Sequence, residues 1–188
     1  MRILAVDQGT TSTRAVLVDK AGRAEVLGAV EHRQIYPRPG WVEHDPAELL
    51  ANVAACFEQC TGVAAAGLAN QGESCLAWNR RTGEPVSPVI VWQDERTVDV
   101  TARLRADGAE EMTLARAGLP LDPYFSASKL GWIVRTLPEA RRLAATGELC
   151  LGTTDAFFRH RLTGRFETDV ATASRTSRIV APGWATLR

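Results

Sequence analysis

The hydrophobic and polar positions of the chain form short apolar runs near the N-terminus. Residues 3–6 (ILAV) and 16–18 (VLV) are continuous apolar runs of strand length, and the polar octet between them predicts the turn of a β-hairpin. A second turn signal, DKAG at 19–22, is followed by a further strand pattern at 24–31. The N-terminal third of the chain is therefore predicted to begin with an antiparallel β-meander.

Helical periodicity begins after a loop rich in proline, glycine and aromatic residues. Asp45 is predicted to cap a helix that has Pro46 in its first position, with Glu48 reaching back to the cap and Gly62 ending the helix. The later pattern predicts strands at 63–68, 76–78, 86–92 and 149–151 and helices at 97–106, 109–117, 128–137 and 154–163. Pro138 is expected to end the third of these helices, and Thr154 or Asp155 is interpreted as the cap of the fourth. The alternation predicts an α/β layered domain.

Composition narrows the classes of partner. The chain has 188 residues, with 22 basic and 22 acidic side chains and no long run of either sign. We therefore expect no nucleic acid or anionic membrane as a partner, and small molecules instead. No apolar stretch has the length of a signal core or a membrane span, which predicts a cytoplasmic location. The four cysteines lack a Cys-x-x-Cys unit and are predicted to be buried reduced thiols.

The polar octet at 7–14 (DQGTTSTR) carries the chemistry expected of a phosphate and metal site. Asp7 is a hard oxygen ligand for Mg²⁺, either direct at about 2.1 Å or through a retained water. Gly9 lets backbone N–H groups approach a phosphate, and the following hydroxyls and a cation add donors. The same octet also fits a hairpin turn that holds no ligand. A P-loop is excluded because no Gly-Lys-Ser/Thr follows, and no Gly-x-Gly-x-x-Gly is present.

Six motifs in one order carry a family resemblance. They are DQGTTS at 7–12, YPRPGWVEHDP at 36–46, NQGES at 70–74, VWQD at 91–94, DPYFS at 122–126 and ASRT at 173–176. Together they resemble the FGGY carbohydrate kinases, and within that family the glycerol kinases. The resemblance implies a ribonuclease H-like fold of the actin and hexokinase type. It also implies that residues 1–188 are the N-terminal, substrate-binding domain, ending before the catalytic aspartate and a second ATP-binding domain.

The resemblance assigns roles to the polar octet. Thr10, Thr11, Ser12 and Arg14 match positions that contact the nucleotide phosphates, and Asp7 matches the metal-associated aspartate. ATP and Mg²⁺ are the implied cofactors.

The resemblance also implies an acceptor site. Glu73 and Tyr124 match positions that hydrogen-bond a polyol, and both side chains suit a substrate made of hydroxyls. Without the resemblance, a solvated loop acid and a packed aromatic would explain them. Glycerol kinases typically carry arginine just before the glutamate, where this chain has Gly72. We therefore expect a roomier, less charged pocket and leave the substrate open. His44, next to the helix cap, is interpreted as structural, and the tryptophans as core or cleft wall.

The resulting prediction is an ATP-dependent kinase domain. It would transfer the γ-phosphoryl group to a primary hydroxyl of glycerol or of a related small polyol or sugar, through positioning and charge neutralisation. The isolated chain is expected to be inactive, because the family's base and second domain lie outside it. The alternative is a non-catalytic module that binds a polyol and phosphate without turnover. Homo-oligomerisation is left open.

Overall fold

The computed structural model describes residues 1–177, which divide into two compact units. The first unit comprises Met1–Ile35 and His44–Gln71, and the second comprises Tyr36–Glu43 and the described residues from Gly72 onward. Within residues 1–177 the strands are β1 Arg2–Gln8, β2 Ser12–Asp19, β3 Ala24–Glu31, β4 Glu43–His44, β5 Ala65–Ala69, β6 Cys75–Asn79, β7 Val89–Ile90 and β8 Leu149–Thr153. The helices are α1 Pro46–Glu58, α2 Val98–Ala106, α3 Ala109–Ala117, α4 Ser126–Thr136, α5 Pro138–Ala145, α6 Thr154–Thr163 and α7 Val170–Ser174.

The first unit contains the predicted meander. Its sheet has the order β3-β2-β1-β5, in which β1 is antiparallel to β2 and parallel to β5. Burial alternates along β1, with Leu4 and Val6 in the core and Asp7 on the open face. The predicted turn octet is too long, because residues 7–8 and 12–14 belong to the paired strands, with Gln8 and Thr13 buried and Asp7 and Arg14 exposed. Asp7 lies opposite Arg14 within the paired strands, and only residues 9–11 form the turn.

The predicted start of α1 is correct. The carboxylate of Asp45 accepts from the backbone N–H of Ala47 at 2.8 Å and of Glu48 at 3.4 Å. The prediction that Glu48 reaches back to the cap is wrong, because its carboxylate accepts from the Arg33 guanidinium at 3.2 Å instead. The helix ends at Glu58, before the predicted stop at Gly62.

The second unit is built on the sheet of order β4-β7-β6-β8, with β6 antiparallel to both β7 and β8. Its core packs the sheet residues Cys75, Ala77 and Ile90 against Leu130 and Ile133 of α4. The strand predicted at 76–78 lies within β6, whereas only Val89–Ile90 of the strand predicted at 86–92 is present, as β7. Helices α3 and α6 have the predicted bounds. None of the helices within residues 1–177 combines the length and the apolar character needed to cross a bilayer.

The sequence patterns missed two short helices and misassigned one cap. Pro138 follows the end of α4 but also begins α5, since its fixed φ and missing N–H suit a first helical position. The second missed helix, α7, is capped by Asp169. Asp155 does not cap α6, which has Thr153 at that position. Its carboxylate instead accepts from Thr168 Oγ1 at 2.7 Å and from the Asp169 N–H at 3.1 Å, so it fixes the segment that leads into α7.

All four cysteines are free thiols. Cys56, Cys75 and Cys150 are buried as predicted, whereas Cys60 is only partly buried. Burial raises the pKa of Cys75 to about 12 and of Cys150 to about 11, which keeps both in the neutral thiol form.

Candidate functional site

The turn between β1 and β2 is closed tightly at Gly9. The Gly9 N–H donates to the Ser12 carbonyl at 2.9 Å, and a Cβ atom at position 9 would lie 3.3 Å from the same oxygen. The Gly9 carbonyl accepts from Gln8 Nε2 at 2.7 Å and from Gln71 Nε2 at 3.1 Å. Gln71 follows β5, so the end of the neighbouring parallel strand holds this turn in place.

Two histidines and a glutamine support the next residues of the turn. The Thr10 carbonyl accepts from His32 Nε2 at 2.8 Å and from Gln34 Nε2 at 2.9 Å, while the Thr11 carbonyl accepts from the His32 N–H at 3.2 Å. His44 Nε2 lies 2.9 Å from Gln34 Oε1, which can only accept. His32 and His44 therefore both carry their proton on Nε2. His44 is fully buried, which supports a structural role for it.

The predicted phosphate and metal residues gather at one edge of the first unit. Thr11 is exposed and Thr10 and Ser12 are half-buried, while Asp7 and Arg14 are exposed on paired strands. Within residues 1–177 no group of three or more metal-ligating side chains is present. A lone carboxylate fits Mg²⁺ in this setting, because magnesium in nucleotide sites is held by one or two carboxylates, waters and the phosphates.

The predicted acceptor residues lie in the second unit. Glu73 directly precedes Ser74 at the start of β6, and its carbonyl accepts from Ser126 Oγ at 2.8 Å. Its carboxylate Oε1 accepts from Arg175 Nε at 2.7 Å, with the Glu73 side chain only 10% exposed. The Arg175 guanidinium carbon also lies 6.0 Å from the Tyr124 ring centroid and 5.3 Å from that of Phe125. Glu73 and Tyr124 are thus brought to the same guanidinium.

A buried lysine fixes the backbone around Tyr124. Lys129 Nζ donates to the carbonyls of Tyr124 at 3.0 Å, Val91 at 3.0 Å and Trp92 at 3.3 Å. Burial lowers the pKa of Lys129, and the three carbonyls satisfy its donors. No motif in the sequence had pointed to Lys129. The spacing of Ser126, Lys129 and the apolar residues of α4 could have shown it, since they share one helical face.

A small cleft opens beside Tyr124. Its volume is about 270 Å³, below the roughly 300 to 1,000 Å³ of typical ligand pockets, so it suits a small ligand. The lining residues are Trp92, Gln93, Asp94, Glu95, Asp122, Pro123 and Tyr124.

The Asp94 carboxylate supports the wall of this cleft. It accepts from the Val42 N–H at 2.7 Å and from the Arg96 Nε and Nη2 atoms, each at 2.8 Å. The Arg96 guanidinium carbon lies 3.9 Å from the Trp41 ring centroid and 4.7 Å from that of Trp132. These two tryptophans are therefore part of a packed wall, as predicted. The Asp94 carboxylate is already hydrogen-bonded to Val42 and Arg96.

Gly72 is not surrounded by empty space. A Cβ atom at position 72 would lie 3.6 Å from Cγ and 3.9 Å from Cβ of Arg175. A guanidinium from a distant segment thus stands beside this position, and the expectation of a roomier, less charged pocket stays a prediction. The ASRT motif contains Arg175, but the sequence alone assigned it no role.

Curated relatives resemble the chain over most of its length. It is 47% identical over 184 residues to a glycerol kinase from Leptothrix cholodnii and 46% identical over 184 residues to one from Rhizobium rhizogenes. Each alignment covers 93% of this chain and 37% of the relative. The chain thus spans little more than a third of the length of these relatives.

Solved structures share the fold. Glycerol kinase from Plasmodium falciparum, in a crystal structure with ADP, superposes with a TM-score of 0.84 at 30% identity, covering 94% of this chain and 37% of that one. Xylulose kinase from Rhodospirillum rubrum gives a TM-score of 0.78 at 26% identity, covering 95% and 37%. These neighbours confirm the predicted actin- and hexokinase-type fold.

The family assignment follows from a match over nearly the whole chain and not from one motif. The model of the FGGY family of carbohydrate kinases, N-terminal domain, matches residues 2–179. The chain therefore belongs to the FGGY family of carbohydrate kinases.

Proposed function

We propose that this chain is the acceptor-binding N-terminal part of an ATP-dependent kinase. The reaction is transfer of the γ-phosphoryl group to a primary hydroxyl of glycerol or of a related small polyol or sugar. The observation that carries the proposal is the buried Glu73 carboxylate, which shares the Arg175 guanidinium with Tyr124, and Tyr124 in turn lines a small cleft. Membership of a carbohydrate kinase family and the glycerol kinase relatives support it.

The acceptor chemistry suits this cluster. A carboxylate accepts hydrogen bonds from two neighbouring hydroxyls, and a phenol either donates or accepts. The Glu73 carboxylate is held by Arg175, and the Tyr124 ring packs against Trp92 and Phe125 with centroids 5.5 and 5.2 Å away, so both side chains are ordered before the acceptor binds. Such preorganisation lowers the entropic cost of binding.

The turn at residues 9–11 is proposed as the phosphate contact. Thr10, Thr11 and Ser12 would present hydroxyl and amide donors to the phosphates, with Arg14 adding charge, and Asp7 would hold Mg²⁺ directly or through water. Bound MgATP would supply the phosphoryl group and neutralise charge as it transfers. The chain's own contribution is to hold the reactants in place, which accounts for most of the catalysis in phosphoryl transfer. The expected cytoplasmic location stays a prediction.

The first test measures acceptor binding to the 188-residue chain by calorimetry. Glycerol, erythritol, xylitol and xylulose form the panel. We expect binding of at least one acceptor, weakened by Glu73→Gln and unchanged by Glu139→Gln, which alters an exposed glutamate that also pairs with an arginine at 2.7 Å. No binding of any acceptor, or equal effects of both variants, would refute the assignment.

The second test follows ADP release with the same acceptors, on the chain and on the longest polypeptide that contains it. We expect acceptor-dependent turnover in the longer polypeptide and none in the chain by itself. Acceptor binding without turnover in the longer polypeptide would favour the non-catalytic binding module.

A further inference from the structure

The Arg175 side chain lies beside position 72. Its Cβ and Cγ atoms lie within 4 Å of the point where a Cβ of residue 72 would stand, and its Nε donates to Glu73 Oε1 at 2.7 Å. Residues 73 and 175 are 102 positions apart in sequence. A guanidinium therefore stands directly beside the proposed acceptor carboxylate, although no arginine lies next to it in the chain.

The backbone around Arg175 is anchored, so its side chain is not a chance surface contact. Arg175 ends α7, whose first turn is capped by the Asp169 carboxylate through the Thr172 N–H at 2.9 Å. Just beyond it, the Thr176 carbonyl accepts from the Ala127 N–H of α4 at 2.8 Å. The segment is therefore fixed at both ends, and one end is attached to the helix that follows Tyr124.

The guanidinium has donors beyond the one used by Glu73. An arginine carries five N–H donors in a planar fork, of which Nε supplies one. The Arg175 side chain keeps 43% of its surface exposed, against 10% for Glu73. Hydrogen bonding to Glu73, and then to Tyr124, raises the pKa of Arg175, so its charge is permanent at every relevant pH.

We propose that Arg175 is a specificity-determining residue of the acceptor site. It holds the Glu73 carboxylate in position and donates from its terminal nitrogens to acceptor hydroxyls. This inference rests on the proposed function and assigns the Arg175 guanidinium to the same acceptor site. An acceptor with adjacent hydroxyls is favoured, because one hydroxyl can donate to Glu73 while the next accepts from Arg175.

The test measures acceptor affinity of the 188-residue chain by calorimetry with the same four compounds. Arg175→Gln keeps most of the side-chain length but removes the charge, and we expect it to weaken acceptor binding about 10- to 100-fold, the range of a lost charge-assisted hydrogen bond. Arg175→Lys keeps the charge without the planar fork, so its acceptor affinity should lie between those of the unmodified chain and Arg175→Gln. Arg142→Gln is the matched control, since it breaks an arginine–glutamate pair of the same 2.7 Å length on an exposed helix.

A second variant separates a specific role from a structural one. Adding Gly72→Arg to Arg175→Gln places a guanidinium next to Glu73 from the adjacent position, and we expect it to restore at least part of the affinity. A change in the order of preference among the four acceptors should accompany Arg175→Gln. Circular dichroism and thermal unfolding establish that each variant is folded.

The outcomes distinguish this inference from the proposed function. If the unmodified chain binds acceptors, and folded Arg175→Gln binds them with unchanged affinity and order, the inference is overturned while the proposed function stands. Loss of affinity by Arg142→Gln to the same degree would also overturn it. If the unmodified chain binds no acceptor, the proposed function fails and the inference fails with it.

Discussion

The imidazole rings of His32 and His44 meet edge to face, with their centroids 4.5 Å apart. Burial, followed by the neighbouring His32, lowers the pKa of His44 from 6.5 to about 4, and burial also lowers the pKa of His32. Both rings are therefore neutral in the folded chain near pH 7. His32 and Gln34 donate to the Thr10 carbonyl, and His44 donates to Gln34. The neutral histidine pair therefore supports the proposed phosphate turn.

The histidine pair predicts a loss of stability in acid. Between pH 6.5 and about 4 an unfolded His44 binds a proton and the folded one does not, so the free energy of unfolding falls as pH falls through this window. A shift from 6.5 to about 4 corresponds to about 3 kcal/mol. Urea unfolding of the chain at pH 7, 5.5 and 4.5 measures the slope of the free energy of unfolding against pH. In His44→Gln the slope should be shallower. An unchanged slope in that variant would mean that other groups cause the acid sensitivity.

Lys129 and Lys20, the two lysines of the chain, should differ strongly in the stability lost on the same substitution. Lys129→Met removes the donor shared by the carbonyls of Val91, Trp92 and Tyr124, although the Val91 carbonyl still accepts from the Asp94 N–H at 3.0 Å. We therefore expect a loss of about 1 to 3 kcal/mol, the cost of a buried polar group that loses its partner. Lys20 is exposed in a turn, and Lys20→Met should change stability by no more than about 0.5 kcal/mol. Denaturant unfolding compares them. Similar values for both variants would show that methionine compensates for the lost hydrogen bonds.

Asp7→Asn should affect turnover more than acceptor affinity. The substitution removes the proposed magnesium ligand from the first unit, while Glu73 and Tyr124 belong to the second unit. In the longest polypeptide containing the chain, kcat should fall at least about 100-fold, with little change in KM for the acceptor. Asp99→Asn, at an exposed position of α2, is the control. Equal losses in kcat and acceptor affinity would assign Asp7 a structural role instead.

Gly9 and Gly67 provide a matched pair for the proposed phosphate turn. A Cβ atom at position 9 would press on the Ser12 carbonyl at 3.3 Å, whereas nothing lies within 4 Å of one at position 67. Gly9→Ala should therefore lower the free energy of unfolding by about 1 kcal/mol, and Gly67→Ala should be neutral or slightly stabilising. Thermal unfolding measures the difference. A neutral Gly9→Ala would show that the turn relaxes easily and does not need glycine.

The sequence determined the elements whose signals are local. The meander of β1 to β3, the Asp45 cap of α1 and the bounds of α3 all follow from alternation, capping chemistry and helix stop signals within a few residues. The resemblance of six ordered motifs led to the family, which the matching family model then confirmed. Each of these inferences depends on neighbours in the chain.

Tertiary structure decided the features that join distant segments. Pro138 carries the same local signal whether it ends one helix or begins the next, and packing of α5 residue Ala140 into the core of the second unit settles the choice. Lys129 is a polar residue on an apolar helix face, which is stable only because three carbonyls from other segments meet it there. The guanidinium beside Glu73 comes from residue 175, because the fold brings the end of α7 to the start of β6. No pattern within a few residues of Gly72 could have shown where that charge would come from.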